Sequence, residues 1–265
     1  MSLTTASMDI PAPAVAHAVA QAAPKMDPLH HFQVVKDVSM SLFGIDISTS
    51  NSVYAMWISA GLVMLFFHFA FKDPKTIPGR LQSLGEIGYL FVRGIVDDII
   101  GEKGRPFFPY IFTLFFFILF CNLSGLIPGS FTVTSQLIVT ATFSLAIVGF
   151  SFAYGFYLHG KRYLKFFVPS GVPLLLTPLM IPIEIISFLA RPVSLAVRLF
   201  ANMTAGHTML AVMFLYVISL PWWGAWLPFG FTVIFTGVEI FIGFIQAYIF
   251  TILTCVYIND SIHMH

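Results

Sequence analysis

Residues 183–220 read IEIISFLARPVSLAVRLFANMTAGHTMLAVMFLYVISL, a run of 38 residues with no polar turn to divide it. Drawn as one α-helix it is ~57 Å long. The hydrocarbon layer of a bilayer is only ~30 Å thick. Residues 225–259 pose the same problem, being 35 residues long and ~52 Å as helix. Two such helices fit a membrane only when tilted well beyond the usual ~20°. Pro221-Trp222-Trp223-Gly224 lies between them as a hinge, with tryptophans suited to the interfacial belt. The pair therefore reads as an antiparallel, steeply tilted hairpin, its arms at 171–220 and 225–260.

The rest of the chain belongs to the same solvent. It is 58% hydrophobic and 9% charged, with 30 Phe among 265 residues, whereas soluble domains carry about 25% charged residues. Short alternating segments of the β-barrel kind are absent. The fold class is an all-α polytopic membrane protein. Further spans fall at 53–71, 107–127 and 134–158, which makes five. Residues 80–104 mix Leu84, Ile87, Leu90 and Ile95 with Glu86, Arg93, Asp97 and Asp98, the pattern of an amphipathic helix at the interface. Residues 1–26 are Ala- and Pro-rich and read as a disordered extension. Residues 27–265 form one membrane domain, opening with a non-cytoplasmic segment at 27–52.

Charge placement sets the orientation. Of 13 Lys and Arg, six lie between Lys72 and Arg105, and Lys161, Arg162 and Lys165 form a second group. By the positive-inside rule both groups face the cytoplasm or its equivalent. Cys121 and Cys255 sit in apolar runs and read as small buried hydrophobes. His30-His31 and His263-Met264-His265 read as solvated tails; the phenylalanines at 112–120 read as lipid and helix contacts. Asn122 with Ser124 is a candidate for lining a polar cavity.

Arg198 is the chain's most expensive residue. A guanidinium stays charged in a protein, and at membrane depth it costs ~2.5–3.5 kcal/mol or more. No carboxylate lies one turn away, which weakens a purely structural ion pair. Folding the hairpin about residues 222–223 brings Arg198 opposite Gln246 and His207 opposite Glu239, each to within a residue. Glu184, Arg191, Arg198 and Asn202 share one helix face, and His207 points to the other side. Polar side chains at membrane depth mark ion pathways or interhelical hydrogen bonds. Both readings stand for Asn202 and Gln246, and His207 with Glu239 is either a proton relay or a buried packing pair. Glu184 either lines an exit path or sits at the interface near Arg191.

The stretch 183–207 resembles the signature of subunit a of the F-type ATP synthase. Residues 117–128, reading FILFCNLSGLIP, match a second motif of that family, and Asp27-Pro-Leu-His-His-Phe32 resembles the usual start of the bacterial subunit. The resemblance implies that Arg198 is the essential arginine facing a rotating c-ring. It also implies that Asn202, His207, Glu239 and Gln246 occupy polar positions of the proton path. His207 on the first long helix and Glu239 on the second follow the mitochondrial and α-proteobacterial arrangement. The implied partners are the c-ring, peripheral stalk subunit b and membrane lipids, with one copy in a large multisubunit complex. The implied location is a bacterial inner membrane, or alternatively a mitochondrial one. Proton is the expected coupling ion.

No phosphate-binding Gly-rich loop occurs, so ATP chemistry is expected on other subunits, and neither cofactor, metal nor nucleic acid is expected here. One rival is a self-contained secondary transporter, which would show repeated halves and broken helices. Neither is visible. A membrane metalloenzyme ranks last, because no His-x-x-x-His or Glu-x-x-His spacing falls on an expected helix.

Overall fold

The structure, a computed structural model, describes residues 36–38, 41–42, 45–46, 49–127, 132–160, 162–163 and 177–263. The expected extension at 1–26, His30-His31 and His265 lie outside the described residues. Four short strands precede the helices: β1 (Lys36–Val38), β2 (Ser41–Leu42), β3 (Ile45–Asp46) and β4 (Thr49–Ser50). They pair antiparallel as β1 with β4 and β2 with β3.

Among the described residues six α-helices follow. They are α1 (Asn51–Ala70), α2 (Arg80–Ile99), α3 (Phe108–Gly125), α4 (Leu137–His159), α5 (Thr177–Ser219) and α6 (Trp222–Ile262). Five helices of the described residues are long and apolar enough to cross a membrane. The exception is α2, which has three stripes along its length. Gln82, Gly85, Val92 and Val96 are buried, Arg93 and Asp97 form an exposed ion pair at 3.5 Å, and Leu81, Leu84, Ile87 and Leu90 face outward. That is the amphipathic helix expected from the mixture of charge and apolar residues.

Helix ends depart from the sequence reading in three places. The amphipathic helix, expected over 80–104, stops at Ile99, because Gly101 takes a left-handed backbone with φ 75°. A 3₁₀ segment, Gly101–Phe107, then leads into α3. The span expected from 134 starts as a 3₁₀ turn, Val133–Ser135, and becomes α4 only at Leu137. The hairpin turns at Leu220 and Pro221, and Trp222 and Trp223 already belong to α6. Pro221 provides that start, since its fixed φ suits entry to a helix. The first arm, expected from 171, is described from Thr177.

The core centres on α6, which packs against α2, α3, α4 and α5. Phe250, Cys255 and Ile258 of α6 are 0% exposed, and Leu195, Leu199 and Met203 of α5 and Ile111, Phe115 and Ile118 of α3 are buried with them. Phe66 and Phe67 of α1 interlock with Phe112 and Phe116 of α3 through stacked and edge contacts. Pro192 interrupts the hydrogen-bond ladder of α5, and Ser144 of α4 donates to its carbonyl at 2.7 Å, tying the two helices at that turn. Cys121 and Cys255 are free and buried. The outer surface is apolar, with Trp57, Met64, Ile138 and Tyr157 exposed. That is the expected inversion for a chain whose solvent is lipid.

Candidate functional site

Two faces of α5 divide the polar residues. Leu195, Leu199, Met203 and Gly206 recur at helical spacing and turn inward; Arg191, Ser194, Arg198, Ala201 and Ala205 turn outward. Arg198 lies on a shallow open groove of ≈ 510 Å³ between α5 and α6, lined also by Ala190, Arg191, Ser194, Leu195 and Ile249. No carboxylate lines it. Among the described residues no ion pair or hydrogen bond engages the Arg198 guanidinium. A second open groove, ≈ 410 Å³, continues along the same helix past Ala201, Thr204, Ala205 and Thr208. Small side chains of this kind let a neighbouring membrane helix approach closely.

Behind that face the interior is polar. Glu239 of α6 is 2% exposed and seated against Gly206 of α5, where a β carbon would overlap its carboxylate. His207 Nε2 lies 3.0 Å from Thr132 Oγ1. Asn122 of α3 is 0% exposed and donates through Nδ2 to the carbonyl of Gly243 at 3.1 Å, with Met203 packed beside that glycine. Gln246, one turn further along α6, is also buried. Several buried polar atoms here have no hydrogen-bond partner among the described residues: Asn122 Oδ1, Asn202 Nδ2, Thr204 Oγ1, Gln246 Oε1 and both carboxylate oxygens of Glu239. Buried polar groups are nearly always hydrogen-bonded, so such a cluster calls for internal water.

The structure seats Glu239 against Gly206, the residue before His207, and its carboxylate makes no hydrogen bond among the described residues. It does not join Arg198 to Gln246: the arginine is exposed and the glutamine buried, because α5 is rotated to turn Leu199 and Met203 inward. Asn202 is half-buried between the two faces. Glu184 is half-buried near the start of α5 and forms no ion pair with Arg191. Asn122, read in the sequence as a candidate for lining a polar cavity with Ser124, is hydrogen-bonded to α6. Thr132 and Gly206 escaped the sequence reading. Gly206 carried the one available signal, a small residue directly before His207. Among the described residues no group of three His, Cys, Asp or Glu is placed to hold a metal ion.

Comparison with known proteins extends over nearly the whole chain. The family described as ATP synthase A chain matches residues 53–259. ATP synthase subunit a of Magnetococcus marinus is 58% identical over 253 residues, covering 94% of this chain and 98% of that protein. The subunit a of Pelagibacter ubique is 48% identical over 241 residues, with 90% and 98% covered. That of Rhizobium leguminosarum bv. trifolii is 47% identical over 243 residues, with 89% and 97% covered. The Arg198 face, the polar interior behind it and the long hairpin that carries both are thus features of a chain that belongs to the ATP synthase subunit a family.

Proposed function

We propose that this chain is the static, proton-conducting subunit of a rotary F-type ATP synthase in a bacterial inner membrane. It is held still by a peripheral stalk containing subunit b and passes protons to and from a turning ring of c subunits. The observation that carries the reading is Arg198: a permanent charge on an apolar, outward-facing groove, with no counter-ion among the described residues. A charge in that position requires a partner from outside the chain.

A ring carboxylate crossing lipid must be protonated, because burying its ion costs too much. Beside Arg198 its charged form is favoured and its proton leaves. Two aqueous half-channels then unload and reload the ring on opposite sides of the arginine. The polar atoms of Asn122, Asn202, Glu239 and Gln246 that have no partner among the described residues support one of them, with His207 following the Gly206 against which Glu239 is seated. Glu184, toward the cytoplasmic end of the same helix, belongs to the other. The fixed positive charge of Arg198 repels a hydrated proton and prevents a short circuit between the channels. Transmembrane voltage supplies ~2.3 kcal/mol per charge per 100 mV, which biases the direction of rotation.

The test is Arg198→Ala in the intact membrane complex, with ATP-driven proton pumping and passive proton leak recorded together. Coupled pumping is expected to vanish while passive conduction persists or rises. Normal pumping would mean that Arg198 is structural and would remove the reading.

A further inference from the structure

Thr132 has no part in the mechanism above, yet it is held unusually tightly. It precedes the 3₁₀ turn Val133–Ser135 that leads into α4, and that turn is drawn inside: Thr132, Val133, Thr134 and Ser135 are each at most 4% exposed. Connections ordinarily run over a protein's surface. The threonine methyl rests on Gly125, where an added β carbon would stand 2.7 Å from Cγ2. Its carbonyl accepts a hydrogen bond from Ser135 Oγ at 2.7 Å. Its hydroxyl lies 3.0 Å from His207 Nε2 and 3.4 Å from the Gly125 carbonyl oxygen.

A hydroxyl has one proton and two lone pairs, whereas a carbonyl can only accept. Two arrangements follow. When Nε2 carries hydrogen, it donates to Oγ1, and the hydroxyl proton points at Gly125. When Nε2 is a bare lone pair, the hydroxyl turns and donates to it. Each state of the ring nitrogen is satisfied, and no heavy atom has to move. A partner that could only donate or only accept would leave one state with an unmade buried hydrogen bond.

We propose that Thr132 is a positioning residue, holding His207 in one orientation while Nε2 gains and loses a proton, with Gly125 as its seat and alternate acceptor. The inference rests on the reading of His207 as part of the proton path. Among the described residues, α6 brings the charged Glu239 against Gly206, the residue before His207. Helix α3 contributes neutral Asn122 nearby, and the α3–α4 turn contributes hydroxyls.

Thr132→Val keeps the shape of the side chain and removes both hydrogen-bonding roles; Thr132→Ser keeps the hydroxyl. ATP-driven proton pumping is followed across pH in membrane vesicles holding the whole complex, normalised to the amount of this chain assembled. Thr132→Val is expected to slow pumping about tenfold and to displace its pH profile. Thr132→Ser should stay within about twofold of wild type with an unmoved profile. A valine variant with wild-type rate and profile overturns the proposal. So does an equal fall in both variants with the profile unmoved, which would mean packing alone. If the valine chain does not assemble, Thr132→Cys, a weak hydrogen bonder of similar size, is judged by the same outcomes. His207→Ala run in parallel separates the two ideas. Normal pumping there removes the path reading itself, while arrested pumping there beside unaltered Thr132→Val removes only the role of Thr132.

Discussion

At Gly206 a β carbon would run into the carboxylate of Glu239, so a side chain here obliges that carboxylate to move. Two effects compete when Gly206 becomes Ala. Helix propensity favours Ala by ~1 kcal/mol. Overpacking opposes it by ~1–3 kcal/mol, since Glu239 is 2% exposed and its carboxylate must find other room in a packed interior. The second is expected to win: Gly206→Ala should lower the midpoint of thermal unfolding in detergent and slow proton pumping. Adding Glu239→Ala should restore the midpoint by vacating the space, a coupling that a double-mutant cycle reads directly. A rise in the midpoint for Gly206→Ala alone would show that propensity dominates and that the helices have slack here. The candidacy of Glu239 was legible in the sequence, because a carboxylate in a long apolar run is conspicuous. That of Gly206 was not, because a glycine's role depends on what faces it, and sequence spacing on one helix does not state what the other helix presents.

Among the elements, the turn after α4 shows how a short segment can lock a long helix. Tyr163 is 2% exposed, its ring lies where a β carbon of Gly155 would be, and its hydroxyl is 3.4 Å from Ser261 Oγ. Ser261 Oγ has one proton, which the carbonyls of Ser151 at 2.8 Å and Tyr257 at 2.7 Å share or take in turn, so Tyr163 is the donor between the two hydroxyls. The end of α6 is thereby fastened to α4. Gly155→Val should expel the Tyr163 ring and destabilise the chain by ~1–3 kcal/mol, read as faster proteolysis at the turn around Tyr163. Burial pushes the Tyr163 hydroxyl above the usual tyrosine value. The stability this gives is fully present below the ordinary tyrosine value near ~10 and is lost as pH rises through the raised one. Absorbance titration should show one tyrosine, missing in Tyr163→Phe, that ionises late and together with loosening of that turn. Ionisation of that residue alongside exposed tyrosines would contradict the packing. The amphipathic character of α2 was legible, since three stripes of residues repeat at helical spacing. Its end was not: the left-handed backbone at Gly101 is permitted by the glycine but dictated by the need to redirect the chain into α3.

At the scale of the whole molecule, hydrophobic length alone was enough to count the spanning helices, because the bilayer allows few other forms for such runs. Which face of each helix turns inward was less legible, since nearly every face is apolar and lipid rewards none of them over another; small residues and polar partners decide it, as on α5. The topology makes a prediction that depends on all of this at once. Between the connection after α1 and the hairpin turn lie α3, α4 and α5, an odd number of crossings. Lys75 and Leu220 must then face opposite sides of the membrane, with Lys75 on the cytoplasmic side by the positive-inside rule. Both are exposed. The native thiols, Cys121 and Cys255, are 1% and 0% exposed, so the wild-type chain supplies a silent background. Lys75→Cys should therefore react with a membrane-impermeant maleimide only from the cytoplasmic side, and Leu220→Cys only from the other. Modification of both from one side would require that one of the three intervening helices fails to cross, and the long hairpin, whose arms exceed the bilayer thickness, would be the first suspect.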